Sequence, residues 1–396
     1  MLSRRRLLVG GMAAAALSGC TRLGGRAAAP HVAAKPVTVR LPWPDSDGLT
    51  KAVVQGYAGI EPGVTLQPTA TFGAGGDPDR VDLFELWSAS GAVMFGGKAF
   101  ADLNPLLATL NADLGALLPG IADLYSLEGA QYALPFALSH TVVAVRRDAI
   151  DRWRLDADWA GWDVAAFRDV CLRVRAAGND PLDRSGLMTV DTWAAFVEGY
   201  GGGFKADGRP DAGRPGTAAG LGQLAELVRI AGTPPQAWTQ YGPSAPITLI
   251  DAQVLAHFQV VVPTATAVVA ARFPRMPVLP VIPARARALA VTRVCRQPLG
   301  TTRLLLWLLG PDGQRLVQAQ RNQSVRRDMA ASPVWAEGVP HLTDAGGMVA
   351  DPATYRVVPF GADRYELAVR AVLQGAAQLP DTLGPGLAAL AAAAPH

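Results

Sequence analysis

The reactive side chains of this sequence do not fall into a catalytic spacing. Five histidines occur, His31, His140, His257, His341 and His396. His31 lies in an Ala- and Pro-rich lead-in and His396 is the last residue, which leaves three imidazoles as candidate bases. There is no Gly-x-Ser-x-Gly elbow, His-Glu-x-x-His motif or Gly-x-x-x-x-Gly-Lys phosphate loop. Asp156 and Asp158 read as solvated loop carboxylates. Cys171 and Cys295 belong to no Cys-x-x-Cys pair, so no metal framework can be built, and each reads as a small buried residue. No enzyme activity, metal or cofactor is expected.

What the sequence offers instead is aromatic faces beside polar groups, the chemistry of non-covalent capture. Trp43 and Asp45 follow the first strand-like stretch, and Glu85 and Trp87 close the third. In doubly wound sheets, ligands sit beyond the carboxyl ends of strands, where both pairs fall. Phe136, Ser139 and His140 open a long apolar run. Tyr200 borders the turn Gly201-Gly202-Gly203, and Trp238 and Tyr241 lie in a proline-rich loop. Each has a packing alternative. Trp43 between two prolines serves either a cleft or a core, as do Glu85 and Trp87, and His140 also reads as a satisfied core histidine. Trp193, on a helical pattern, reads as core.

The elements that must position these residues follow from periodicity. Val37-Thr38-Val39-Arg40-Leu41 alternates as a strand, and Leu49, Val53 and Tyr57 mark one helix face. Glu61-Pro62-Gly63 turns the chain into a second strand at Val64-Thr65-Leu66. This βαβ unit predicts a largely parallel sheet. Arg80 to Phe84 reads as a third strand, and Thr141 to Val145 as an apolar one. Asp163 caps a helix carrying Val164, Phe167, Cys171 and Val174. Thr217 and Thr301 or Thr302 are expected caps of later helices. Strands are expected at 264–272, 276–282 and 288–294, the middle one confined by Pro277 and Pro280 to an edge or hinge.

Half of the residues are apolar and 17% are charged, a globular composition. The formal net charge is +3, which Arg4, Arg5 and Arg6 account for. The remainder is near neutral and gives no electrostatic case for nucleic acid. Those arginines precede an apolar run from Leu7 to Gly19, about a dozen residues against the roughly 20 that span a bilayer. A basic start, a short apolar core and small residues read as an export signal, and Cys20 follows at once. Leu17-Ser18-Gly19-Cys20 resembles the lipobox of bacterial lipoproteins, which implies that Cys20 becomes an acylated N-terminus. Ser3-Arg4-Arg5 before Leu7-Leu8 also resembles a twin-arginine signal. The expected location is extracytoplasmic, with the membrane reached through that lipid alone.

The order of later signals resembles the extracellular solute-binding proteins of ABC importers, in their carbohydrate-binding branch. The resemblance runs through Asp79-Arg80-Val81-Asp82, Ala101-Asp102-Leu103, Tyr132-Ala133-Leu134-Pro135-Phe136 with its following strand, and Arg147-Asp148. It continues through Gly161-Trp162-Asp163 and the helix-and-glycine stretch 189–204. Ala133 replaces a customary glycine, and 260–271 lacks the glycine-tryptophan turn that often meets sugar. The resemblance implies a two-lobed α/β fold of the periplasmic-binding-protein type II class with an interlobe cleft. It implies a signal peptide at 1–19 and a lipidated tether at 20–36. Lobe one would comprise 37–140 plus 275–325, and lobe two 141–274 plus 326–396. The implied partners are a small solute such as a sugar and the transmembrane subunits of an ABC permease, with the binding protein a monomer. Two other readings stay open: an envelope lipoprotein that uses this fold to dock a protein, and an exported carbohydrate enzyme.

Overall fold

The computed structural model describes residues 37–44, 48–58, 60–61, 63–69, 77–87, 99–155, 161–231, 245–261, 268–330, 332, 355–357 and 362–393. Strand β1 (Val37–Pro44), helix α1 (Gly48–Tyr57) and strand β2 (Val64–Thr69) form the expected βαβ unit, with β1 and β2 paired in parallel. Leu49, Val53 and Tyr57 bury the face their four-residue spacing dictates. After β3 (Leu83–Trp87) comes α2 (Asn104–Thr109), with proline in its first turn. A short hairpin, β4 (Ser126–Leu127) and β5 (Ala130–Gln131), leads into β6 (Ala133–Arg146), the longest strand described.

Helices α3 (Arg147–Trp153), α4 (Val164–Ala176), α5 (Arg184–Leu187), α6 (Val190–Gly199) and α7 (Pro215–Ala231) follow. Asp163 caps α4, its carboxylate accepting the Ala166 N–H at 2.9 Å. Gly220 lets α7 lie against α6, since a Cβ there would strike the Phe196 carbonyl. The chain continues through β7 (Ile247–Asp251), α8 (Ala252–Val261), β8 (Val268–Ala271) and β9 (Ile282–Val291). Helices α9 (Pro298–Leu309) and α10 (Pro311–Ala319), strand β10 (Tyr355–Val357), and helices α11 (Glu366–Gln378) and α12 (Leu383–Ala392) complete it.

The sheet is not the largely parallel one that the βαβ unit suggested. β9 runs antiparallel to β3 and to the first half of β6, and β7 and β8 run antiparallel to its second half. Among the described strands of this sheet, only β10 joins parallel, on β9. The reason is topological: β6 leaves one core for another and β9 returns, so the two must oppose each other. Residues 276–281 form no strand, 288–294 is only the end of the longer β9, and β8 is a short piece of 264–272. The helices expected to start at Thr217 and Thr301 start at Pro215 and Pro298, where proline suits a first turn.

Two hydrophobic cores result. One gathers Leu41, Trp43, Tyr57, Phe84, Phe136, Ala288, Leu305 and Val317. The other gathers Val143, Val145, Phe167, Trp193, Phe196, Leu224, Tyr365 and Leu373. The opposite face of β6, at Val142 and Ala144, packs with Ile250 and Leu255 in a small third cluster. Met276 belongs to the second core, and Ala284 to the first. β9 therefore passes from the second core to the first near Ile282, which packs against both. Cys171 and Cys295 are free thiols, the first buried and the second partly so. Among the described residues, no helix is long and apolar enough to cross a membrane.

Candidate ligand-binding site

Polar side chains concentrate where β6 and β9 pass between the cores. Ser139 stands opposite Arg285, His140 opposite Ala284, and Thr141 opposite Asp251 of β7. Directly paired residues point to one side of a sheet, so Ser139, Thr141, Asp251 and Arg285 share the face toward α6. Asp191, in the first turn of α6, accepts a hydrogen bond from Arg285 Nε. Ser139 donates its hydroxyl to Asp251 Oδ1, which also accepts the Gln253 N–H at 2.9 Å. Asp251 thereby serves the start of α8.

The other side holds His140, whose Nδ1 lies 2.9 Å from the accepting Gln323 Oε1. Burial holds this imidazole below its ordinary pKa, so it is neutral. Gln323 and Leu138 exchange backbone hydrogen bonds at 2.9 and 3.0 Å, which lays a further segment along β6. Burial raises the pKa of Asp191, against the pull of Arg285. Its Oδ1 is buried without a hydrogen-bond partner.

A second polar group lies within the first core. Trp43 Nε1 donates to Glu85 Oε2, and Arg287 Nε donates to Glu85 Oε1 at 2.6 Å. Arg287 Nη1 donates to Asn322 Oδ1 at 3.0 Å, and its guanidinium lies over the Phe136 ring at 5.1 Å. Phe136 in turn meets Trp43 at 5.6 Å. The structure thus brings Trp43, Glu85 and Phe136 together, but as a sealed cluster whose polar atoms serve one another. For these three, packing prevails over an open binding face.

Ser139 and His140 sit at the seam. Tyr200 does not, because it ends α6, roughly 13 Å from Asp191 at 1.5 Å per residue. It borders a separate cavity of about 450 Å³ on the second core. Asp45, Trp238, Tyr241 and Cys20 lie outside the described residues, as does the side chain of Trp87. Sequence reading missed Asp191, Asp251, Arg285, Arg287, Asn322 and Gln323. One signal for the arginines was available: Arg285 and Arg287 alternate inside Pro-Ala-Arg-Ala-Arg-Ala-Leu-Ala-Val, and charges in an apolar strand demand partners. Among the described residues, no three His, Cys, Asp or Glu side chains converge to hold a metal.

With its polar seam and shared strands, the chain matches known structures along most of its length. The cyclic α-maltosyl-1,6-maltose binding protein of Arthrobacter globiformis superposes with a TM-score of 0.72, covering 90% of this chain and 97% of that one at 14% identity. The fold is that of the two-lobed ABC solute-binding proteins. An ABC substrate-binding protein of Listeria monocytogenes in complex with cycloalternan gives a TM-score of 0.69 at 14% identity, with 90% and 97% coverage. UgpB of Mycobacterium tuberculosis, in complex with glycerophosphocholine, gives 0.66 at 15% identity with the same coverage. No protein-family model and no curated protein matches the sequence itself.

Proposed function

We propose that the chain captures a small neutral solute, a sugar or oligosaccharide by class, between its lobes and presents it to an ABC permease. The observation that carries this reading is the likeness over nine-tenths of the chain to a cyclic maltosyl-maltose binding protein and to an ABC substrate-binding protein in complex with cycloalternan. Residues 37–140 and 284–325 would form lobe one, and 141–281 with 355–393 lobe two. Ser139, Asp251, Asp191 and Arg285 would meet solute hydroxyls, with Asp45, Trp87, Trp238 and Tyr241 as further candidates. Ligand contacts made only in the closed state would shift the population toward closure. No reaction is proposed; the similar structures are of binding proteins. Acylation at Cys20 would hold the protein, as a monomer, at the outer side of a cell membrane.

Melting temperatures of the full chain in malto-oligosaccharides, mannobiose, glycerophosphocholine and amino acids test the reading. A sugar at a hundredfold excess over its Kd should stabilise by about 2.7 kcal/mol. Ser139→Ala should weaken that sugar about tenfold. A chain that ignores every sugar sinks the proposal.

A further inference from the structure

Lobe two carries a concavity that the seam does not use. The first turns of α4, the end of α6, Gln223 of α7 and the loop 275–280 enclose about 450 Å³, within the range that holds small molecules. Tyr200 forms a flat wall, stacked on buried Phe196 at 6.3 Å and 11°. Exposed Pro277, Val278 and Pro280 make an apolar rim. The loop is pinned in place. Val278 and Leu279 both donate to the Gly199 carbonyl, at 3.0 and 3.2 Å, and Arg275 donates to the Trp162 carbonyl at 3.0 Å. A side chain at Gly199 would collide with Met276, so the close approach depends on that glycine.

Charge decides what such a cavity takes. Its lining holds two guanidinium groups, Arg168 and Arg275, against one carboxylate, Asp163. Asp163 is already committed to the Ala166 N–H. Arg275 is exposed; it lies opposite Asp163 in an isolated parallel bridge, yet makes no salt bridge among the described residues. Arg168 approaches Asp169 and Glu226 only at 3.7 and 3.8 Å, beyond hydrogen-bond range. Its buried Nε has no partner. Arg168 is thus held only in long ion pairs, neither guanidinium makes a hydrogen bond among the described residues, and guanidinium forks match carboxylate and phosphate geometry. From this we infer that the cavity is an accessory site for a small anion carried on a flat ring. Arg168 and Arg275 hold the carboxylate or phosphate, and Tyr200 lies against the ring.

Titration calorimetry of the full chain with phenyl phosphate tests this. The expected result is one saturable site, at least about tenfold tighter than for inorganic phosphate or phenol. Arg275→Gln and Arg168→Gln should each weaken it about tenfold while the unliganded melting temperature stays put. Arg275 is exposed, so its variant carries the test even if the Arg168 variant folds poorly. No saturation, equal affinity for inorganic phosphate, or binding that survives both substitutions overturns the inference. The cavity stands apart from the seam, so this outcome does not depend on whether a solute binds between the lobes.

Discussion

Arg285 and Arg287 sit two residues apart on β9, and each pairs with a carboxylate remote in sequence. Arg287 and Glu85 have side chains only 10% and 5% exposed, and Trp43, Asn322 and Phe136 occupy the remaining faces of the pair. Arg285 is 38% exposed while its partner Asp191 is 2% exposed, and one Asp191 oxygen has no donor. The difference teaches which pair is scaffold. A sealed pair whose carboxylate and guanidinium are both hydrogen-bonded to further side chains fixes one geometry. A half-open pair with a spare acceptor would be free to exchange partners with a solute bound as proposed.

The sharpest way to break this contrast is to remove one carboxylate at a time. Glu85→Ala leaves Arg287 buried and uncompensated, and should cost about 3–5 kcal/mol in urea denaturation. Asp191→Asn should change stability by no more than about 1 kcal/mol, because Arg285 already reaches water. The same variant has a pH signature. Burial raises the Asp191 pKa above its ordinary 3.8, so the folded state binds the proton more tightly than the unfolded chain. Asp191 thus favours folding as pH falls toward 3.8 and disfavours it above its raised folded pKa. Asp191→Asn should lose that trend, seen as a changing stability difference from the parent across the acid range.

A smaller effect probes the opposite face of the seam. His140 is buried with its pKa below the ordinary 6.5, so the unfolded chain takes up a proton first. Stability should drop as pH falls from 6.5 toward the lower folded value, by about 1 kcal/mol per unit of pH. His140→Gln should flatten that limb in urea melts at neutral and mildly acid pH. An unaltered limb would mean that His140 is not sealed as Glu85 is.

Local signals in the sequence suffice where near neighbours set the structure. Alternation at 37–41, the four-residue spacing of Leu49, Val53 and Tyr57, and the Asp163 cap each depend on neighbours within a few residues, and each appears in the structure. Trp193 is fully buried, as its helical setting implied. The failures involve distance along the chain. Glu85 meets Arg287 across 202 residues, Ser139 meets Asp251 across 112, and Asp191 meets Arg285 across 94. No periodicity encodes such partners, so Trp43, Glu85 and Phe136 could be picked as interesting yet not recognised as mutually consumed. Strand direction failed for a related reason: a βαβ unit at one end says nothing about strands that shuttle between cores.

β6 extends this lesson to mechanics. Its 14 residues give Phe136 to one core, Val143 to the other and Val142 to a third cluster. Neither half therefore owns its border, and loosening one strips a staple from the other. Both cores are thus anchored on one strand, and a substitution in either half of it bears on its neighbour.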